Sequence, residues 1–231
     1  MSESKECVRA LLVGGCAASY HLLEPVVAPI GTVLEQAGFA VEVAGIRHPE
    51  GPDGPLSGDY SALTESGLSG ISLVVLYTTG RGHGEDVGAL RGFVERGGAL
   101  VGIHCAADSF TDNPDWVAML GGAFRTHPAP LEISVDLVRP EHPVLAGVDP
   151  FTVRDELYLF RDFDPSNVEL LLETSSAQDP EQPGPIPVCW VREPGEGRVV
   201  YLSLGHFPEV MEHPSWQRLL ANSVRWAVRR S

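Results

Sequence analysis

The sequence predicts a single α/β domain organised around parallel strands. Two apolar runs, Leu73–Tyr77 and Ala99–Ile103, have the length and β-branched content of buried strands. Between them, apolar side chains recur on one helical face, and Gly97-Gly98 ends that pattern. Strand, helix and strand in this order form a β-α-β unit, whose two strands run parallel. The rest of the chain shows no internal repeat and no second core, so one domain is expected to cover residues 1–231.

The elements before this unit extend the same pattern. Val8–Val13 predicts a first buried strand that ends in a glycine turn, and Phe39–Val43 predicts a short second strand. The helix between them ends at Gly38. Its regular part is expected to begin near Pro29, because proline is best accommodated in the first helical turn. Gly45–Asp59 is rich in glycine and proline and predicts a loop.

The elements after the central unit are shorter. Leu131–Val138 alternates apolar and polar residues, which is typical of a half-exposed strand at a sheet edge. A short helix follows Pro114, and the chain closes with a helix over Trp216–Val228. Ser175–Pro187 carries four prolines and predicts a loop. Further strands are predicted at Asp155–Phe160, Val168–Glu173, Val188–Val191 and Arg198–Leu204.

Composition excludes several classes of function. The formal net charge of −15 argues against a nucleic-acid partner or an anionic membrane surface. No apolar run approaches the ~20 residues of a membrane span, and the polar N-terminus lacks a secretion signal, so a cytoplasmic location is expected. Lys5 is the only lysine, which excludes a Schiff-base lysine and a phosphate-loop lysine, and we expect no nucleotide cofactor. The four cysteines form no C-x-x-C pair and are expected to be free thiols.

Polar side chains follow both strands of the central unit. Arg81 and His83 come shortly after the first strand, and His104, Cys105 and Asp108 come directly after the second. Ligands of open α/β sheets bind outside the carboxyl ends of the strands. We therefore expect these side chains to line a site.

His104 occupies the apex of a predicted strand-to-helix elbow. The stretch Gly102-Ile103-His104-Cys105-Ala106 matches the small-x-nucleophile-x-small pattern of such elbows. A hydroxyl or thiol at the apex indicates acyl transfer, whereas an imidazole indicates a metal ligand or a general base. The alternative is a histidine bonded only to nearby backbone. Cys105 is expected to pack in the core, with a nucleophile that uses His206 as its base as the alternative.

Other stretches supply further candidate ligands. His127 follows a glycine-rich turn, His206 ends the last strand, and His21 follows the first strand by a few residues. In Asp155-Glu156-Leu157-Tyr158, an alternation of period two sends Glu156 and Tyr158 to one face. Imidazoles and a carboxylate are suitable ligands for a first-row divalent metal, although this long-range spacing does not establish that they meet.

The chain resembles the trehalose-utilisation (ThuA-like) family, a branch of the class I glutamine amidotransferase-like fold. The matching pieces occur in the family's order; they are Gly102–Phe110, Leu120–Phe124 with His127-Pro128, His142–Val148, Asp155–Tyr158, and Gly197–Tyr201 leading to Gly205-His206. The resemblance implies a three-layer α/β/α fold with a mostly parallel, flavodoxin-like sheet. It also implies a link to sugar catabolism that involves 3-keto disaccharides. The chain departs from the amidotransferases at the elbow, where His104 stands in place of their cysteine.

The leading hypothesis is an enzyme that acts on a 3-keto sugar or glycoside by metal-assisted acid/base chemistry. In this hypothesis the catalytic residues are His104, Glu156 and His206. The ligands of a zinc or manganese ion are His104, His127 and His206. The residues that bind substrate are His21, Arg81, His83, Asp108 and Tyr158.

Two alternatives belong to other classes. One is a thiol hydrolase or amidotransferase that uses Cys105, His206 and Glu209. The other is a non-catalytic protein that binds a sugar or a protein partner. In the leading hypothesis the partner is a small sugar substrate, and association into a homo-oligomer is also expected.

Overall fold

The computed structural model describes residues 8–82 and 84–229, and it is centred on a nine-stranded sheet. The strands, in chain order, are β1 (Val8–Gly15), β2 (Phe39–Gly45), β3 (Ile71–Thr78), β4 (Ala99–Ile103), β5 (Ala123–Thr126), β6 (Leu131–Leu137), β7 (Phe151–Asp155), β8 (Leu159–Arg161), β9 (Glu169–Thr174), β10 (Ile186–Arg192) and β11 (Arg198–Leu202). β5 and β8 pair separately as a two-stranded antiparallel sheet. The other strands form the central sheet.

The described residues also form five helices and two 3₁₀ turns, and the last two helices follow the final strand. The helices are α1 (Glu24–Gln36), α2 (Gly84–Glu95), α3 (Pro114–Leu120), α4 (Pro208–Met211) and α5 (Pro214–Ala227), and the 3₁₀ turns are His104–Asp108 and Pro143–Leu145. Asn113 caps α3, since its side-chain oxygen accepts from the backbone N–H groups of Asp115 and Trp116. No helix in the described ranges has both the length and the apolar character needed to cross a bilayer.

The sheet combines a parallel and an antiparallel half. The strand order is β2-β1-β3-β4-β11-β10-β9-β6-β7, and the first five strands pair in parallel. The last four continue by antiparallel pairing, so that β10 and β6 run against the direction of the others. The prediction of a large, mostly parallel sheet is therefore confirmed. The carboxyl ends of β1, β3, β4, β7 and β11 all point to the same edge.

Side chains of the parallel strands alternate between two cores. Leu73 and Val75 of β3 belong to a buried cluster that includes residues of α1 and α5, whereas Val74 and Leu76 belong to a cluster that includes residues of α2 and α3. This alternation follows from the period of two along a strand. Helices consequently cover both faces of the sheet, and the expected three-layer α/β/α arrangement is confirmed.

Three predictions about individual elements are wrong. α1 begins at Glu24 rather than near Pro29, because Pro25 lies in its first turn and the helix accommodates Pro29 in its interior. β6 is not an edge strand, since β7 pairs outside it. Asp155–Phe160 is not one strand: β7 ends at Asp155, and β8 begins at Leu159. The three residues between them are the chain segment that enters the site.

Candidate functional site

His104 follows β4 directly, at the predicted elbow. Its side chain is fully buried, and its backbone has a φ of 43°, in the left-handed region that residues with a Cβ rarely adopt. The helix expected after the elbow is a single 3₁₀ turn. The hydroxyl of Tyr201 donates to the carbonyl oxygen of His104 at 2.7 Å and supports this conformation.

The hydrogen bond of His104 fixes its tautomer. Nδ1 lies 2.8 Å from the carbonyl oxygen of Ser203, and a carbonyl can only accept, so Nδ1 carries the proton. In the neutral ring, Nε2 is then an acceptor. It has no hydrogen-bond partner within the described residues and lies 3.5 Å from Oε2 of Glu156. An unpaired nitrogen and a carboxylate oxygen therefore face each other.

His206 follows β11 and faces the same carboxylate. Its Nδ1 lies 3.1 Å from Oε2 of Glu156, yet it forms no hydrogen bond to any part of the chain that the structure describes. Burial lowers the pKa of His206 to about 4, His104 adds to this effect, and Glu156 opposes it. The ring is therefore neutral near pH 7 and can offer a lone pair.

His21 enters from the loop after β1. Its ring centroid lies 5.1 Å from the centroids of both His104 and His206. Its Nδ1 lies 2.5 Å from the hydroxyl oxygen of Thr79, and its Nε2 lies 3.3 Å from the hydroxyl oxygen of Tyr158. Burial, with the neighbouring histidines, holds the pKa of His21 well below its usual value.

These four residues form what we call the His/Glu cluster: His21, His104, Glu156 and His206. One ligand atom from each lies within 4.8 Å of the other three. Burial tends to raise the pKa of Glu156, but the surrounding histidines outweigh it and keep the carboxyl ionised. Three imidazoles and a carboxylate are a donor set that zinc and other first-row divalent ions accept.

The cluster is open to small molecules on one side. The side chain of Glu156 is 13% exposed and that of His206 is 22% exposed, whereas His104 is fully enclosed. A cavity of about 710 Å³ between α3 and β8 lies elsewhere, and none of its lining residues belongs to the cluster. The convergence of ligand atoms, rather than cavity size, therefore identifies the candidate site.

Two of the predicted substrate-binding residues lie beside the cluster. The ring of Tyr158 is buried, with its centroid 4.0 Å from that of His104. The pKa of Asp108 is raised to about 6 by burial, against the effect of His104 and His127. Tyr158 therefore lies against His104, and Asp108 is close enough to His104 and His127 for their charges to interact.

The other predicted residues lie outside the cluster. His127 is at its rim: Nδ1 lies 2.8 Å from the carbonyl oxygen of Pro128, and Nε2 lies 3.7 Å from Oε2 of Glu156. The Arg81 side chain is 86% exposed and pairs with Asp112 at 3.5 Å, so it is on the surface. His83 falls outside the described residues.

The thiol alternative finds no support in the geometry. Cys105 is fully buried in the core, and burial raises the pKa of its thiol well above the usual value. Glu209, at the start of α4, is exposed to solvent. At the elbow, the side chain that faces Glu156 is that of His104.

Sequence reasoning missed the residues that hold the cluster in place. Thr79 contacts His21, the carbonyl oxygen of Ser203 accepts from His104, and Asp155 binds the backbone around His206. Each lies at or just after the carboxyl end of a strand, which is the one signal that could have indicated them.

The fold and the cluster together define an α/β protein with a histidine- and carboxylate-lined site at the carboxyl edge of its sheet. The family model described as ThuA, trehalose utilisation, matches residues 13–227, and the chain belongs to this family. No curated protein matches the sequence.

Solved structures share the fold at low sequence identity. A ThuA-like protein from Bacteroides uniformis is 23% identical with a TM-score of 0.75, and the match covers 99% of this chain and 94% of that one. A ThuA-like protein from Parabacteroides merdae is 21% identical with a TM-score of 0.77, over 96% and 90% of the two chains. A cytoplasmic protein from Salmonella typhimurium is 13% identical with a TM-score of 0.64, over 95% and 98%.

Proposed function

We propose that this protein is an enzyme of sugar metabolism that acts on a 3-keto sugar or glycoside by metal-assisted acid/base chemistry. The observation that carries the proposal is the convergence of two imidazole nitrogens, without hydrogen-bond partners among the described residues, on the carboxylate of Glu156. Nε2 of His104 and Nδ1 of His206 approach Oε2 of Glu156 at 3.5 and 3.1 Å without forming a hydrogen bond. Membership of the trehalose-utilisation family supports a sugar as the substrate.

The electrostatics of this arrangement favour a cation. Imidazole lone pairs and an ionised carboxylate repel one another unless a proton or a metal ion lies between them. The second nitrogen of two rings is already engaged, by the Ser203 carbonyl for His104 and by the Thr79 hydroxyl for His21. Metal-binding histidines characteristically make such a second contact, because it fixes the ring and its tautomer. Zinc or manganese fits this donor set.

The chemistry begins at the carbon next to the keto group. A bound divalent ion would polarise the keto oxygen and make the neighbouring C–H bond more acidic. Glu156 accepts that proton, and the electron pair of the C–H bond moves towards the carbonyl to give an enolate. Return of a proton to the carbon gives an isomer. Alternatively, the electron pair forms a double bond to the next carbon and expels the glycosidic oxygen attached to that carbon. This oxygen takes a proton as it leaves, so the glycosidic bond is broken by elimination.

Neighbouring polar groups suit the remaining tasks. His206 is neutral near pH 7, because burial lowers its pKa to about 4, so the ring can offer a lone pair to a cation. Tyr158 lies against His104 and His127 lies near Glu156, and we assign the binding of sugar hydroxyls to these two residues together with Asp108. Arg81 is not assigned to this task, because its side chain is directed to solvent.

The experiment is a metal analysis coupled to a turnover assay. Purified protein is analysed for metals, stripped with a chelator and reloaded with Zn²⁺ or Mn²⁺, and each form is incubated with trehalose and with a 3-keto disaccharide. We expect metal near one equivalent per chain, loss of turnover on stripping and recovery on reloading. Full turnover by the stripped protein would contradict the metal-assisted mechanism.

The same assay separates this proposal from a binding function. Saturable binding of the sugar without turnover, with every metal tested, would support a non-catalytic sugar-binding protein. Two further expectations, a homo-oligomer and a cytoplasmic location, are checked by light scattering and by fractionation of cells that make the protein. One related structure is described as that of a cytoplasmic protein, which supports the second expectation.

A further inference from the structure

Asp155 is a fully buried acid with no arginine or lysine partner among the described residues. It ends β7, and Glu156 follows it directly. Burial raises the pKa of Asp155, while His104 and several backbone N–H groups act in the opposite direction. A buried carboxylate without compensation is costly, so its hydrogen bonds need explanation.

Its oxygens bind three consecutive backbone N–H groups in the loop after β11. Gly205 donates to Oδ2 at 2.6 Å, His206 donates to Oδ1 at 3.2 Å, and Phe207 donates to Oδ1 at 3.4 Å. Successive N–H groups that point at one anion form a concave anion-binding turn. Gly205 has a φ of 133°, a conformation that favours glycine, and this allows the chain to make the turn.

One side chain thus ties together two segments that are distant in sequence. On one side it is joined through the peptide chain to Glu156, and on the other it binds the backbone of His206, 51 residues away. The two tied residues make the shortest contact of the His/Glu cluster, 3.1 Å between Glu156 Oε2 and His206 Nδ1. A shift of the loop by a fraction of an ångström would alter that separation directly.

We propose that Asp155 is a positioning residue that sets the separation between Glu156 and His206 and thereby the metal affinity of the cluster. This inference rests on the proposed function for its metal readout. Asp155 does not touch the ligand position itself, since both of its oxygens are engaged by backbone N–H groups. It acts through the peptide that carries His206 and through its neighbour in the chain.

The test is Asp155→Asn, compared with a matched substitution elsewhere. Asparagine keeps the volume, but its NH₂ group must face a backbone N–H in either orientation, because both oxygens of Asp155 are acceptors. The control is Asp179→Asn, in which another buried acid, 4% exposed, accepts from a backbone N–H of its own loop at 2.9 Å and from the guanidinium of Arg125 at 2.6 Å, and lies outside the cluster. Zn²⁺ affinity is measured by competition with a chromophoric chelator, and Co²⁺ is used as a spectroscopic probe of the coordination.

We expect Asp155→Asn to weaken Zn²⁺ binding by about 10- to 100-fold and to change the Co²⁺ spectrum, as supporting residues of metal sites do. Asp179→Asn should leave both unchanged. Equal Zn²⁺ affinity and an identical Co²⁺ spectrum for Asp155→Asn and wild type would overturn the inference. If Asp155→Asn does not fold, Asp155→Ser, which keeps one acceptor oxygen, takes its place.

A second readout separates the inference from the proposed function. If the wild type binds neither Zn²⁺ nor Co²⁺, the metal proposal fails, and positioning is then judged without metal. Amide hydrogen exchange at residues 205–207 and the Glu156–His206 separation in a crystal structure of the variant report it directly. Faster exchange and a longer separation than in the Asp179→Asn control support the role of Asp155, and unchanged values refute it.

Discussion

The parallel and antiparallel halves of the sheet contribute different chemistry to the same edge. The parallel half, β2-β1-β3-β4-β11, supplies three imidazoles, from His21, His104 and His206, each in a segment that follows a strand. The antiparallel half, β10-β9-β6-β7, supplies the carboxylate of Glu156, carried by the chain that leaves β7. The His/Glu cluster therefore needs residues from both halves of the sheet.

The two contributions are held by different means. His104 is fixed by the buried strand that precedes it and by the bonds of its ring and carbonyl to Ser203 and Tyr201. Glu156 lies in a short irregular stretch between β7 and β8, and its place depends on long-range contacts. The difference teaches that the parallel half fixes His104 by its own contacts, whereas Glu156 is placed correctly only when the antiparallel strands pack against that half.

The largest effect is expected when the acid of the antiparallel half is removed. Glu156→Gln keeps the shape but cannot accept a proton, so turnover should fall by about 10²- to 10⁴-fold, the range for loss of a general base. Glu132→Gln, on the exposed face of β6, is the control and should retain full turnover. Turnover of a 3-keto disaccharide measures the effect, and a loss smaller than about tenfold would remove Glu156 from the mechanism.

The next largest effect is a loss of Zn²⁺ affinity, which should be large for His104 in the cluster and small for His127 at its rim. His104→Gln should weaken Zn²⁺ binding by more than about 100-fold, because it removes a direct ligand, whereas a supporting residue costs less. His127→Gln should weaken it by less than about tenfold, since His127 lies at the rim and outside the cluster. The surface variant His48→Gln serves as the control, and a thermal melt checks folding. Equal losses for positions 104 and 127 would show that the rim histidine is also a ligand.

The sequence predicted the parallel half better than the antiparallel half, for physical reasons. β3 and β4 are recognisable because they are buried on both faces and are therefore continuous apolar runs. Asp155-Glu156-Leu157-Tyr158 alternates like a strand, yet β7 ends at its first residue. Alternation in the sequence indicates which side chains share a face of a strand, but it does not indicate where the strand ends. Here the end of β7 coincides with a tertiary contact, between Asp155 and residues 205–207.

The sequence indicated where the site lies, but not all of the residues that form it. His104 directly follows β4 and His206 comes four residues after the end of β11, and both could be placed because strand ends converge. The positions of His127 and His21 depend on loop paths that the local sequence does not encode. As a result, the sequence assigned metal binding to His127 and substrate binding to His21, whereas the geometry brings the ligand atoms of His21 into the cluster.

A smaller effect is expected at Tyr158, which reaches from the antiparallel half to a histidine of the parallel half. Tyr158→Phe keeps the ring beside that of His104 but removes the contact of its hydroxyl with Nε2 of His21, at 3.3 Å. One hydrogen bond of about 1 kcal/mol corresponds to roughly a fivefold change in Zn²⁺ affinity or turnover. Steady-state kinetics with the loaded protein measure it, with Tyr20→Phe as an exposed control. A change beyond about 100-fold would mean that the hydroxyl takes part in the chemistry.

The smallest effect is expected at Cys105. Cys105→Ala should leave turnover within about threefold of wild type, because the thiol is enclosed in the core and removed from the open edge. The free energy of unfolding should fall by about 1 kcal/mol through the small cavity that is created. Chemical denaturation and the turnover assay are run on the same samples. A loss of turnover of about 10³-fold in a well-folded variant would restore the thiol mechanism.

The backbone at His21 and His104 has a consequence for how variants of this protein behave under selection. Both residues hold a left-handed conformation, with φ of 48° and 43°, which costs a residue with a Cβ about 1 kcal/mol and is relieved by glycine. A library sorted for yield or melting temperature should therefore drift away from histidine at these two positions. A library sorted for activity should keep histidine at both positions. Selection for stability and selection for activity should therefore give different residues at positions 21 and 104.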